Sequence, residues 1–137
     1  MPAGYFVDTW FFIAFSDPRD SHHRQARRLG AVMDGNQLVT HEGILTELLA
    51  YFAEEDTWGR LRAVKTVRNA LQEMDVVSPD RDLFRRAVAL YEDRSDKHYS
   101  LVDCMSMIVM RERGFTHVLT NDHHFRQEGF AVLSDGP

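Results

Sequence analysis

The run Ser100-Leu101-Val102-Asp103-Cys104-Met105-Ser106-Met107-Ile108-Val109-Met110 is apolar almost all the way round a helix, yet it carries a carboxylate in its first turn. At about 100° per residue, Leu101, Met105, Ile108 and Val109 share one face, while Met107 and Met110 extend the apolar surface toward the other side. Such a helix belongs inside a protein. An ionised Asp103 buried there costs roughly several kcal/mol unless a cation or a dense set of donors meets it. Ser100-x-x-Asp103 also has the form of a capping box, which would satisfy free amides at the helix start and give the carboxylate a structural task.

Three further acids sit at element ends or flanks: Asp8, Glu47 and Asp122. Asp8 follows Gly4-Tyr5-Phe6-Val7, a short buried strand by its aromatic and β-branched content. Ligands gather outside the carboxyl ends of strands in α/β sheets, although aspartate at that position is also a common helix N-cap. Glu47 belongs to a helix from His41 to Phe52 whose expected core face is Leu45, Leu48, Leu49 and Phe52. It lies on the flank shared with Ile44 and Tyr51, either as an ordinary exposed glutamate or pointing along the sheet edge toward Asp8. Asp122 turns the chain after a strand.

If parallel connections bring these acids to one end of a sheet, their repulsion raises and couples their pKa values unless a divalent cation neutralises them. An all-oxygen set suits Mg²⁺ or Mn²⁺, whereas zinc normally recruits cysteine or histidine. Such a site binds phosphate oxygens and lowers the pKa of a bound water. With two ions about 3.5–4 Å apart, it stabilises both attacking and leaving oxygens in phosphodiester cleavage. The chemistry points to a metal-dependent nuclease. His22 and His23 are adjacent, about 100° apart on a helix, and do not converge on one metal.

The elements that must position these acids alternate along the chain. Trp10 to Phe15 is a very apolar turn of helix, and Asp17-Pro18-Arg19-Asp20 is a turn. Ser21 is expected to cap a helix running to about Met33, ended by Asp34-Gly35-Asn36. Gln37 to Thr40 is a second strand, with Thr40 expected to cap the Glu47 helix. Thr57 to Gln72 is an amphipathic helix with Arg62 and Lys65 opposite Leu61, Val64 and Leu71. Met74 to Val77 is a third strand, Arg81 to Asp93 a helix after Pro79, and Gly114 the stop of the Asp103 helix. Thr116 to Thr120, His123 to Gln127 and Phe130 to Leu133 complete the series as strand, short helix and strand. The expected fold class is α/β: a single domain, residues 1–137, with a mainly parallel central sheet flanked by helices.

The ordered set Val7-Asp8-Thr9, Leu45-Thr46-Glu47-Leu48, Ser100-Leu101-Val102-Asp103-Cys104 and Leu119-Thr120-Asn121-Asp122-His123-His124-Phe125 resembles the PIN-domain nucleases, especially the small single-domain toxins of the VapC kind. The resemblance spans nearly the whole chain, and four motifs in order are more specific than any one. It implies a PIN-like three-layer α/β/α sandwich and Mg²⁺-dependent cleavage of RNA, with Mn²⁺ as substitute. It also implies a catalytic, metal-holding centre of Asp8, Glu47, Asp103 and Asp122. Asp8 and Asp103 would hold the principal cation, with Glu47 and Asp122 completing its shell or supporting a second ion. By the same resemblance Thr9 and Thr120 are polar supports, Ser100 fixes the start of the Asp103 helix, and Asp96 is an outer-shell candidate rather than a direct ligand. A homodimer, and a small antitoxin partner whose tail blocks the pocket, are further implications.

Composition narrows the alternatives. At 137 residues with 44% hydrophobic content the chain can bury one core, so disorder is not expected. The longest apolar run falls far short of the roughly 18 residues of a membrane helix, and Met1-Pro2-Ala3-Gly4 lacks a basic, signal-like start, so a cytoplasmic location is expected. Cys104 is the only cysteine and reads as a small core residue. Sixteen basic against 21 acidic residues, a net charge of −5, argue against coating nucleic acid through uniform positive charge. Local contacts through Arg19, Arg24, Arg27, Arg28, Arg62 or Lys65 remain open. A phosphatase of the haloacid-dehalogenase kind would want Asp-x-Asp, but Trp10 holds the second position, and a receiver domain would want a lysine where Thr120-Asn121-Asp122 stands. A housekeeping RNA-processing nuclease would share the acidic centre. A protein-binding module retaining the fold is the non-enzymatic alternative.

Overall fold

Gly4–Val7 (β1) is buried along its whole length, as expected for a strand with neighbours on both sides and helices on both faces. It pairs with Gln37–His41 (β2), placing Tyr5 beside Leu38, and with His117–Leu119 (β4), placing Phe6 beside Val118. Asp75–Val77 (β3) extends the sheet beyond β2, and Ala131–Leu133 (β5) extends it beyond β4. The order is β3-β2-β1-β4-β5 and every pairing is parallel. The structure, a computed structural model, describes residues 4–134. The Met1-Pro2-Ala3 start and the last residues of the expected 1–137 domain lie outside the described residues.

Parallel neighbours need long crossovers, and among the described residues seven helices supply them: Thr9–Ser16 (α1), His23–Met33 (α2), Glu42–Tyr51 (α3), Thr57–Glu73 (α4), Arg81–Asp93 (α5), Leu101–Arg113 (α6) and His124–Gln127 (α7). The result is a three-layer α/β/α sandwich in which α5 packs on α6, and α1 on α2, α3 and α4. The chain builds outward from β1 to β2 and β3, then crosses back to β4 on the other side. That reversal leaves a crevice at the carboxyl ends of β1 and β4, the position where such sheets place their ligands.

The apolar helix around Asp103 is as deeply buried as its sequence requires, with Cys104 through Met110 all buried. It opens with a complete capping box at Ser100 and Asp103 and closes on Gly114 at φ +71°, a left-handed conformation that glycine adopts without strain. Among the described residues no helix is long and apolar enough to cross a membrane.

Several local expectations are corrected. Ser21 does not cap α2; the helix begins at His23, and the amide of His22 is taken by Asp20 Oδ1 at 2.8 Å. Thr40 does not cap α3 either. Strand β2 runs one residue further, Thr40 donates to the Val7 carbonyl at 2.9 Å, and His41 becomes the N-cap. The buried face of α3 is rotated toward Ile44, leaving Leu49 exposed. On α4 the expected core leucines face outward, with Leu61 and Leu71 about half exposed, because the helix buries the small residues Gly59, Ala63 and Ala70 instead.

Candidate active site

Asp8 is the first residue after β1, and its carboxylate is buried. It occupies the N-cap position of α1 without making a side-chain cap bond, so the capping alternative does not account for it. Its Oδ2 instead accepts a hydrogen bond from Thr120 Oγ1 at 2.7 Å. Burial pushes the pKa of Asp8 up to about 7, with the charges of Asp103 and Glu47 adding to the rise; the Thr120 hydroxyl and the Thr9 amide work against it.

Thr120 also orders the turn after β4. Its hydroxyl oxygen accepts from the Asp122 amide at 3.1 Å, and Asp122 Oδ1 accepts from the His124 amide at 2.9 Å, which starts α7. Glu47 projects from α3 toward α1, where Thr9 Oγ1 donates to its Oε1 at 2.5 Å. Burial raises its pKa, and Asp103 contributes in the same direction. The exposed-glutamate alternative therefore fails. Thr9 and Thr120, the expected polar supports, each hold one of the acids.

Asp103 caps its helix and also faces the other acids. Its Oδ2 accepts from the Ser100 amide at 3.0 Å while Ser100 Oγ accepts from the Asp103 amide at 3.0 Å, so the capping box is real. The same carboxyl group interacts with Asp8, Glu47 and Asp122, and its pKa is raised, foremost by burial and also by Asp122. Two helices and two strand ends thus converge four carboxylates on one crevice. Asp96 lies apart: it is exposed and pairs with Lys97 at 3.5 Å. His22 packs edge-on against Trp10, while His23 Nδ1 bonds the Ala14 carbonyl, so the two histidines do not share a site.

One residue of the centre is not apparent from the sequence. His124 Nδ1 lies 3.3 Å from Asp122 Oδ1 and 3.4 Å from Asp103 Oδ2. The available signal was the spacing Asp122-x-His124 at a helix start, which folds the imidazole back over the carboxylate. Behind it, Tyr99 packs edge-on against the ring at a centroid distance of 5.4 Å and donates its hydroxyl to Glu128 at 2.9 Å. Glu128 is in turn held by Arg94 at 2.9 Å and Arg111 at 2.8 Å, and these donors keep its pKa near 2 despite burial.

The donor set fits a divalent cation. One ligand atom each from Asp103, Asp122 and His124 lie within 4.8 Å of one another, and the carboxylates beside them carry raised pKa values that a cation would relieve.

A 23S rRNA-specific endonuclease, VapC20 of Mycobacterium tuberculosis, is 27% identical to this chain over 133 residues, covering 93% of the chain and 96% of the relative. The crystal structure of Mycobacterium tuberculosis VapC20, described as a sarcin-ricin loop cleaving toxin, matches the fold with a TM-score of 0.83 over 93% and 96% of the two chains. A DNA-bound VapBC from Salmonella typhimurium shares the fold at 19% identity and a TM-score of 0.66, covering 97% and 98%. A toxin-antitoxin complex from Klebsiella pneumoniae does so at 16% and 0.67, covering 96% and 97%. Residues 5–130 match the PIN domain, and the chain accordingly belongs to the PIN domain family of metal-dependent nucleases.

Proposed function

We propose that this chain is an Mg²⁺- or Mn²⁺-dependent endoribonuclease whose catalytic centre is Asp8, Glu47, Asp103 and Asp122, acting as the toxin of a type II toxin–antitoxin pair. The observation that carries the reading is the convergence of four carboxylates at the strand-order reversal, with Asp8 held near pKa 7 by burial and by its acidic neighbours. A bound divalent ion supplies Lewis acidity to the phosphodiester and lowers the pKa of a water beside it. Asp8 and Asp103 would hold that ion, with Glu47 and Asp122 completing or supporting its shell. Thr120 and Thr9 fix the orientation of Asp8 and Glu47 through their hydroxyls. The Ser100 capping box fixes Asp103. No lysine or histidine need serve as base.

RNA as substrate is supported by the rRNA-cleaving relative at 27% identity over nearly the full chain. An antitoxin and a second copy of the chain are the expected partners, and a cytoplasmic location goes with them. Phe84, Val88 and Tyr91 on α5 and Trp58, Leu61 and Leu71 on α4 offer exposed apolar surface for such contacts.

The test is cleavage of end-labelled RNAs, structured 23S rRNA fragments and single strands alike, with Mg²⁺, Mn²⁺ or EDTA. Wild type cuts with metal only, and folded Asp8→Ala and Asp103→Asn lose at least about a hundredfold in rate, the scale set by removing a group that positions a catalytic metal. A folded Asp103→Asn protein that cuts at the wild-type rate sinks the assignment.

A further inference from the structure

We propose that His124 is itself a metal ligand through Nδ1, making the centre a mixed nitrogen and oxygen site that prefers Mn²⁺ and similar transition ions over Mg²⁺. The inference rests on the metal-dependent reading above and departs from the all-oxygen shell expected of the four carboxylates.

Three observations place the nitrogen there. First, Nδ1 is inaccessible and has no hydrogen-bond partner among the described residues. A buried polar atom left this way costs about 1–3 kcal/mol, so a fold that keeps it needs something to meet it. Second, the atom sits 3.3 Å from Asp122 Oδ1 and 3.4 Å from Asp103 Oδ2, on two separate elements. Donors about 2.1 Å from a common ion stand roughly 3 Å apart, so these three atoms need little rearrangement to share one. Third, the ring cannot easily turn away. Tyr99 packs against one side, its hydroxyl tied to Glu128, while the His124 amide is committed to Asp122. Arg94 and Arg111 fix Glu128, so the tyrosine that backs the imidazole is itself held in place.

The chemical consequence is selectivity. Mg²⁺ is hard and prefers oxygen, whereas imidazole nitrogen strengthens binding of Mn²⁺ and, more strongly, of Co²⁺, Ni²⁺ and Zn²⁺. An Asp103–Asp122–His124 shell therefore discriminates among ions that the four carboxylates alone would bind by charge.

The experiment is calorimetric titration of metal-free protein with Mn²⁺ and with Mg²⁺, alongside the visible spectrum of the Co²⁺ complex and ring-nitrogen NMR with Zn²⁺. It is run on wild type, His124→Ala, His124→Gln and the exposed neighbour variant His123→Ala, with circular dichroism confirming the fold. The expected result is that His124→Ala weakens Mn²⁺ binding about tenfold or more while Mg²⁺ affinity changes far less. One histidine Nδ1 resonance shifts with Zn²⁺ in wild type and in His123→Ala and is missing from His124→Ala, the Co²⁺ spectrum of His124→Ala differs from that of the other two, and His124→Gln recovers Mg²⁺ rather than Mn²⁺ preference. Unchanged Mn²⁺ affinity in His124→Ala, with binding lost in Asp103→Asn, overturns the ligand role of His124 and leaves the carboxylate centre standing. Absence of divalent binding in wild type overturns both.

Discussion

Asp8 is a carboxylate in a place that disfavours its own charge. Its pKa is about 7 in the fold against 3.8 for the free side chain, so above pH 7 the folded state bears a penalty that the unfolded chain does not. Asparagine keeps the size and an oxygen for the Thr120 hydroxyl while removing the charge. In EDTA at pH 8, Asp8→Asn should be more stable than wild type by on the order of a few kcal/mol, since each tenfold change in proton affinity is worth about 1.4 kcal/mol. The advantage should shrink as the pH falls toward 4, where wild-type Asp8 is protonated in the fold and close to half protonated in the unfolded chain. Thermal melts of the two proteins at both pH values check this, and equal melting temperatures at pH 8 refute it. A variant that gains stability and loses cleavage locates Asp8 among residues kept for chemistry. Such residues were the legible ones: Asp8 and Asp122 declare themselves by following strands, and Asp103 by being a charge on an apolar helix. His124 did not, since its role depends on how a two-residue turn folds the ring over Asp122, which no periodicity records.

Elements were legible in kind and order but less so at their joints. The start of α3 shows why. Thr40 and His41 are adjacent, and sequence preference favours threonine as a cap. The tertiary context decides otherwise, because the β2 ladder continues through His41 and Thr40 is drawn to the Val7 carbonyl. His41 then accepts the Gly43 amide at Nδ1 (3.0 Å). Its Nε2–H donates to Ser106 Oγ at 2.9 Å, since that hydroxyl itself donates to the Val102 carbonyl. The ring is neutral and buried, its pKa pushed down to about 4 by burial, and it ties the helix of Glu47 to the helix of Asp103. A contact spanning 65 residues in sequence leaves no local trace. Its consequence is testable at Gly43, where an added methyl would stand 2.7 Å from His41 Cε1. Glycine to alanine in a helix usually gains about 1 kcal/mol. Here Gly43→Ala should instead destabilise by about 1–3 kcal/mol, the cost of overpacking beside a ring that cannot move. In a His41→Ala background the same change should become neutral or favourable, and urea denaturation of the four proteins measures the coupling.

For the molecule as a whole, the sheet was legible because its β1 strand is apolar throughout and alternates with helices in sequence, a pattern that only parallel pairing satisfies. The outward leucines of α4 were not, because periodicity finds an apolar stripe without saying whether the protein or a partner covers it. The assembled fold sets two groups of residues against each other as pH changes. Asp8 has its pKa raised to about 7, so between about pH 4 and 7 the folded state holds more protons there than the unfolded, and stability falls as pH rises; Asp103 and Glu47 are raised too and act in the same direction. His41 acts the other way: the unfolded histidine takes a proton near 6.5 and the folded one only near 4, so stability is lost as pH falls through that window. Glu128, held at about 2 against 4.5, adds a further loss below about pH 4.5. In EDTA, Asp8 and His41 largely offset between about pH 4 and 6.5, Asp103 and Glu47 add to the Asp8 side, and the melting temperature should be lower at pH 8 than at pH 5. With excess Mn²⁺ the acids no longer carry a penalty for ionising. The curve should then rise to about pH 6.5 with His41 and level off, so that the gap between metal and EDTA widens steadily with pH. Scanning calorimetry from pH 4 to 8 measures that gap, and a gap independent of pH would mean that the carboxylates of the crevice are not where the metal binds.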